Sequence, residues 1–130
     1  LLAAVMFSTV AYAHPFSDVS GHWAEAEITA ASKANLFEGY DDNTFRPEVP
    51  ITREEIAVLI ARVLAEEERS RSFYSFPDVE ADRWSYKEIT ALAELGLIHG
   101  YEDGYFLPER AIHRGEMAAL VRRVSEHLLK

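Results

Sequence analysis

The sequence predicts an all-α protein: repeated helix–loop–helix motifs packed as a helical bundle, with short turn or hairpin loops. Three observations predict it. The chain repeats itself in order, with Trp, Gly and Pro at matching places. Each copy holds a helix-forming stretch, a turn-rich loop and a second helix with a sharp start. The composition is that of a packed domain: 130 residues, 48% hydrophobic and 27% charged.

Composition also excludes function classes. With no Cys there is no disulfide framework, Cys-ligated zinc site, thiol nucleophile or iron–sulfur cluster. A formal charge of -9 argues against broad nucleic-acid binding, which needs a basic face to neutralise phosphates. It leaves room for a few Arg side chains that grip an anion locally.

Taken in order, residues 1–13 (LLAAVMFSTVAYA) carry no charge and are too short to span a bilayer as a helix. They end in Ala11-Tyr12-Ala13, a small-x-small pattern. This reads as the C-terminal part of a secretory signal peptide, cut at its start, with the mature chain beginning near His14. The alternative is a buried N-terminal strand or helix. An exported chain without Cys takes its stability from packing.

Phe16-Ser17-Asp18-Val19 returns as Phe76-Pro77-Asp78-Val79, and after one inserted residue the match continues at an offset of 61. Trp23 maps to Trp84, Gly39-Tyr40 to Gly100-Tyr101, Phe45-x-Pro47-Glu48 to Phe106-x-Pro108-Glu109, and Ile51-x-Arg53-x-Glu55 to Ile112-x-Arg114-x-Glu116. The copies run over 14–65 and 74–130, joined by a polar charged linker at 66–73.

In the first copy, Trp23 to Ala34 is rich in Ala and Glu and reads as a helix, with Ser20 or Gly21 to cap it. Asn35 stands where the second copy has Gly96, and both tolerate the left-handed conformation that ends helices. Asp42-Asn43 and Asp103-Gly104 lie between aromatics, which predicts a tight loop or short hairpin with Tyr40 and Tyr101 packed under it. Pro47 and Pro108 are expected to keep the next stretch extended. Thr52-Arg53-Glu54-Glu55 is a capping box. Ile56, Leu59, Ile60, Val63 and Leu64 follow at helical spacing, as do Met117, Leu120, Val121, Val124 and Leu128. A copy of this size is marginal alone, so the stripes are expected to bury against each other.

Arg53 and Arg114 each fall in the first turn of a predicted helix, where a cation meets the positive end of the dipole at a cost of a few tenths to about 1 kcal/mol. A local rule broken at the same place in both copies points to function. Backbone N–H groups and a guanidinium fork would converge there on one carboxylate. The structural alternative pairs each Arg with a nearby acid such as Glu54, Asp18 or Asp78. Trp23 and Trp84 serve as core anchors or as platforms for a sugar ring, the core role weighing more. Asp18 and Asp78 cap the following segment or contact ligand.

The Gly39 and Gly100 loops lack the ligand alternation of an EF-hand and its terminal bidentate Glu, so calcium is not expected. His14, His22, His99, His113 and His127 show no metal-site spacing. There is no G-x-S-x-G elbow, no H-E-x-x-H and no phosphate-binding Gly loop. No enzyme is expected, and neither a catalytic residue nor a cofactor is assigned.

These residues resemble the S-layer homology domain. Its pattern is an F-x-D opening, a Trp at the first helix, a G-Y-x-D-G-x-F-x-P loop and an I-T-R-x-E start to the second helix. The chain has Phe16-x-Asp18, Trp23, Gly39-Tyr40-x-Asp42-x-x-Phe45-x-Pro47 and Ile51-Thr52-Arg53-x-Glu55. The second copy has Phe76-x-Asp78, Trp84, Gly100-Tyr101-x-Asp103-Gly104-x-Phe106-x-Pro108 and Ile112-His113-Arg114-x-Glu116.

The resemblance implies non-covalent anchoring of an exported protein at the cell envelope. The implied partner is an anionic secondary cell-wall polysaccharide, often one carrying a pyruvate ketal, or a peptidoglycan-linked polymer. Nucleic acid and membrane insertion after signal cleavage are not implied. The ligand site it suggests comprises Arg53, Arg114, Trp23, Trp84, Asp18, Asp78, Thr52, Gly39 and Gly100. The rival reading is a self-association module of a surface-layer or envelope protein. The family commonly uses three motifs as a three-pronged spindle, so with two copies a third motif or a homo-oligomer would complete the bundle. His113 replaces the capping Thr, and a neutral His caps poorly. Charged at acid pH, it would sit badly against the positive helix end yet could assist an anionic ligand.

Overall fold

The computed structural model describes residues 16–65 and 74–130. The signal-peptide and linker readings, at 1–13 and 66–73, lie outside the described residues. Those residues hold four helices and no strand: α1 (Glu25–Lys33), α2 (Arg53–Leu64), α3 (Tyr86–Glu94) and α4 (Arg114–Leu128). The all-α expectation is met. Contacts divide the chain into two compact units, Leu1–Val49 and Pro50–Lys130.

The first unit has a small core of Phe16, Val19 and Ile28, with Ala24 and Phe45 packed on it. Its helix starts two residues later than expected, because Trp23 and Ala24 belong to a turn in which the Glu25 N–H donates to His22 O at 3.0 Å. Neither Ser20 nor Gly21 caps it: Ala24 is the N-cap, without a side-chain cap bond. Asn35 ends the element with φ 60°, and Gly96 does the same after α3 with φ 74°. The loop is a tight turn in both copies. Tyr40 N–H donates to Thr44 O at 2.9 Å, and Tyr101 N–H to Tyr105 O at 2.8 Å.

The Pro residues do something else than expected. Arg46 and Leu107 before them have φ 59° and 57°, and the chain then turns: Val49 N–H reaches Arg46 O at 3.1 Å and Arg110 N–H reaches Leu107 O at 3.2 Å. A ring with φ near −65° suits the second position of a turn as well as it suits an extended run.

The second unit holds the larger core: Ala57 and Ala61 of α2, Ile89, Leu92 and Ala93 of α3, with Val79, Leu97, Ile98 and Phe106. Thus α2, the second helix of the first sequence copy, packs on α3, the first helix of the second copy. The apolar stripes of α2 and α4 were expected to bury against each other, and this is corrected. On α2 the buried positions are Arg53, Glu54, Ile56, Ala57, Val58 and Ala61, while Val63 is exposed. Of the expected α2 stripe, Ile56 is buried and Ile60 and Leu64 pack on this core, while the innermost α2 positions are Ala57 and Ala61. On α4 only Leu120 is buried, and Val121 and Leu128 are exposed.

Candidate anion-binding site

The start of α2 is built as the capping box predicts. Thr52 Oγ1 accepts from Glu55 N at 3.2 Å, and Thr52 N donates to Glu55 Oε1 at 2.9 Å. The next donors are also taken: Arg53 N–H goes to Arg110 O at 2.8 Å and Glu54 N–H to Pro108 O at 3.0 Å. A helix leaves its first four N–H groups without intrahelical partners. Here the loop at 108–110 and the Thr52 side chain satisfy those of Arg53, Glu54 and Glu55. These N–H groups are therefore not free to converge on a ligand, which corrects that expectation.

The Arg53 side chain is 4% exposed as a residue and uses each of its three nitrogens. Nε donates to Phe106 O at 2.8 Å, Nη2 to His99 O at 2.7 Å and Nη1 to Glu116 Oε2 at 2.6 Å. Its guanidinium carbon lies 4.4 Å from the Phe106 ring centre and 4.7 Å from that of Tyr101. The anion it holds is the protein's own Glu116, not Glu54, Asp18 or Asp78. Tyr101 also donates to Glu116 Oε2, at 2.7 Å, so its ring belongs to this cluster rather than merely lying under the loop. Burial works against ionising Glu116, but the Tyr101 hydroxyl, the His113 N–H and the Arg53 and Arg110 charges hold its carboxyl below the usual range. Burial, and then the bond to Glu116, raise the Tyr101 phenol.

Beside this cluster lies a cavity of about 170 Å³, lined by Arg53, His99, Gly100, Tyr101, Glu116 and Arg123 and by the apolar Leu97, Ile98, Ile112, Ala119 and Leu120. Arg123 was not singled out in the sequence. Its only signal there is its register, one offset of 61 after Arg62 on the face that follows the helix start. Partial burial and then the Arg123 charge lower the His99 imidazole below its usual value.

The other expected residues are dispersed. Arg114 is exposed at the start of α4. His113 N donates to Glu116 Oε1 at 3.3 Å, longer than the matching bond at Thr52. Trp23 and Trp84 are 85% and 58% exposed, so neither anchors the core, and neither lines the cavity. Asp18 and Asp78 each clamp two backbone N–H groups far along the chain. Asp18 takes those of Phe45 and Arg46, both at 2.8 Å, and Asp78 takes those of Phe106 and Leu107 at 3.0 and 2.8 Å. Gly39 and Gly100 seat the rings of Phe16 and Phe76, leaving no room for a Cβ: one at Gly100 would come 2.8 Å from Phe76 Cε1.

These features define a class: a module of two helical motifs in which a buried Arg at the second helix of one motif locks onto the loop of the next, leaving a small cation-lined cavity. The model of the S-layer homology domain matches residues 15–57 and 75–118, and the chain belongs to that family. It is similar to Cell surface glycoprotein 1 of Acetivibrio thermocellus, 34% identical over 124 residues, covering 88% of this chain and 5% of that protein. It is also similar to the Cellulosome-anchoring protein of the same organism, 36% identical over 100 residues, covering 75% of this chain and 22% of that protein. S-layer protein EA1 of Bacillus anthracis is 30% identical, with 100% of this chain and 15% of that protein covered. The chain thus spans between 5% and 22% of the length of these relatives. No helix among the described residues is long and apolar enough to cross a membrane.

Proposed function

We propose that this chain is a non-catalytic anchoring module that holds an exported protein to the cell surface by binding an anionic cell-wall glycopolymer, such as a pyruvylated one, or a peptidoglycan-linked polymer. Membership of the S-layer homology family and likeness to surface and cellulosome-anchoring proteins support the association with the cell envelope. The observation that carries the glycopolymer is the cavity beside Arg53, where two guanidinium groups, those of Arg53 and Arg123, stand among apolar side chains. Apolar walls suit the carbon face of a sugar, and a cavity whose charge stays positive after Glu116 pairs with Arg53 suits its charged substituent. Exposed Trp23 and Trp84 offer further rings on which sugars can stack, and exposed Arg114 offers a second cation. The test is co-sedimentation of the chain with purified wall sacculi before and after the secondary polymer is stripped. Retention that disappears on stripping, without turnover of the glycan, is expected. Retention by stripped walls would refute the glycopolymer.

A second reading, self-association without glycan binding, draws on the exposed apolar residues Val121 and Leu128 of α4. It predicts a mass in solution above the monomer and no retention by walls. Sedimentation equilibrium measures the first.

A further inference from the structure

The cavity has an internal charge balance. Arg53 and Glu116 lie 2.6 Å apart and cancel, and each nitrogen of Arg53 already donates to the protein. Arg123 is different. Half-buried on α4, it lines the cavity and makes no hydrogen bond or ion pair to a described residue. Its counterpart in the first copy, Arg62, is partnered. With His99 neutral near pH 7, the charged groups lining the cavity sum to a single positive charge, carried by Arg123.

We propose that Arg123 is the ligand-binding cation of the cavity and receives the carboxylate of one monoanionic sugar residue, while Arg53 only positions the cavity wall. This rests on the glycopolymer reading and deepens it. A planar carboxylate matches the guanidinium fork, taking two parallel N–H donors. The cavity is about 170 Å³, below the roughly 300 Å³ at which ordinary ligand pockets begin, so it admits one sugar ring rather than an oligosaccharide. Leu97, Ile112 and Leu120 supply the apolar surface against which the ring's C–H face packs. A second carboxylate would meet Glu116, which limits the site to one charge.

The test uses the full chain and its Arg123→Gln variant. The first measurement is retention by polymer-bearing walls, with the thermal midpoint as a control for folding. Losing a charged hydrogen-bonding partner is expected to weaken retention roughly ten- to hundredfold with the midpoint unchanged. The second is the His99 imidazole titration by NMR, with D-glucuronate as probe and glucose or potassium chloride at equal ionic strength as controls. Burial and then the Arg123 charge hold the His99 value down; a carboxylate bound at Arg123 neutralises the second, so that value is expected to rise with glucuronate alone and only in the wild type. Retention of Arg123→Gln equal to the wild type overturns the assignment and leaves anchoring standing. Wall retention absent from the wild type refutes anchoring instead, and the His99 titration then decides. A rise specific to glucuronate supports Arg123 as a carboxylate site; no rise, or an equal rise in the controls, overturns it.

Discussion

Asp78 gathers the N–H groups of Phe106 and Leu107 into one carboxylate, and this holds Leu107 in the left-handed region at φ 57°. That conformation costs a non-glycine residue about 1–2 kcal/mol, which charge-assisted bonds from two N–H groups offset. Asp78→Asn keeps one acceptor oxygen and turns an NH2 toward the other donor. It is expected to destabilise the chain by about 1–3 kcal/mol, read from urea unfolding. A neighbouring constraint is steric. A Cβ on residue 100 would lie 2.8 Å from Phe76 Cε1 and 3.1 Å from Tyr105 O. Gly100→Ala is therefore expected to cost about 1–3 kcal/mol through overpacking, in the same assay. The sequence shows that Asp and Gly recur in both copies, and it shows their spacing. It cannot show that Asp78 acts across 28 residues on a backbone, because no local pattern links a carboxylate to donors that distant. Arg53 was legible as a residue with a task. That its partner is Glu116, 63 residues on, depends on which copy's loop receives α2.

The start of α2 also carries a second buried ionic contact. Glu54, 5% exposed, takes both Nε and Nη2 of Arg83 at 2.8 Å and the Ser85 hydroxyl at 2.7 Å. Removing one partner of a buried pair strands the other. Arg83 keeps a quarter of its side chain exposed, so the loss is discounted. Glu54→Gln is expected to cost about 2–3 kcal/mol, below the 3–5 of a fully buried pair. The exposed Arg122–Glu126 pair on α4 is expected to contribute under about 1 kcal/mol. Acidification should act on the second unit in two stages. The folded His99 value lies below its ordinary 6.5, so the unfolded chain binds the proton more readily and stability falls as pH drops through 6.5. Glu116 lies below its ordinary 4.5, so its contribution, present above that value, is lost as pH falls through the folded one. Thermal midpoints against pH should lose the upper stage in His99→Gln and keep the lower. At this scale the capping box and both left-handed stops were readable, since they are local. The contact face of α2 was readable at Ile60 and Leu64 and missed at Ala57 and Ala61, because hydrophobicity ranks Val63 above Ala57 while close helix approach ranks them the other way.

Across the whole chain, the period of the sequence and the boundary of compact structure disagree. The repeat joins α2 to the first copy, whereas contacts join it to the second unit, beginning at Pro50. A fragment of residues 50–130 is therefore expected to unfold cooperatively, while residues 74–130, a full sequence copy, should lack the α2 side of the core and show no such transition. Circular dichroism during heating distinguishes them. The repeat gave the family and the helix inventory, but a period has no phase: it says how often the unit recurs, not where it is cut. The offset has a consequence for how such chains grow. Each joint is a dovetail, with tenon and socket encoded in adjacent copies, so duplicating one copy always makes one new joint whatever the cut point. Fit at that joint is inherited rather than guaranteed. At the joint seen here the tenon is Glu54 and the socket is Arg83 with Ser85. The positions one period away are Gly115 for the tenon, and His22 with Ala24 for the socket. The ion pair that locks this joint is thus not repeated one period away on either side, so its residues belong to this one joint and not to the period.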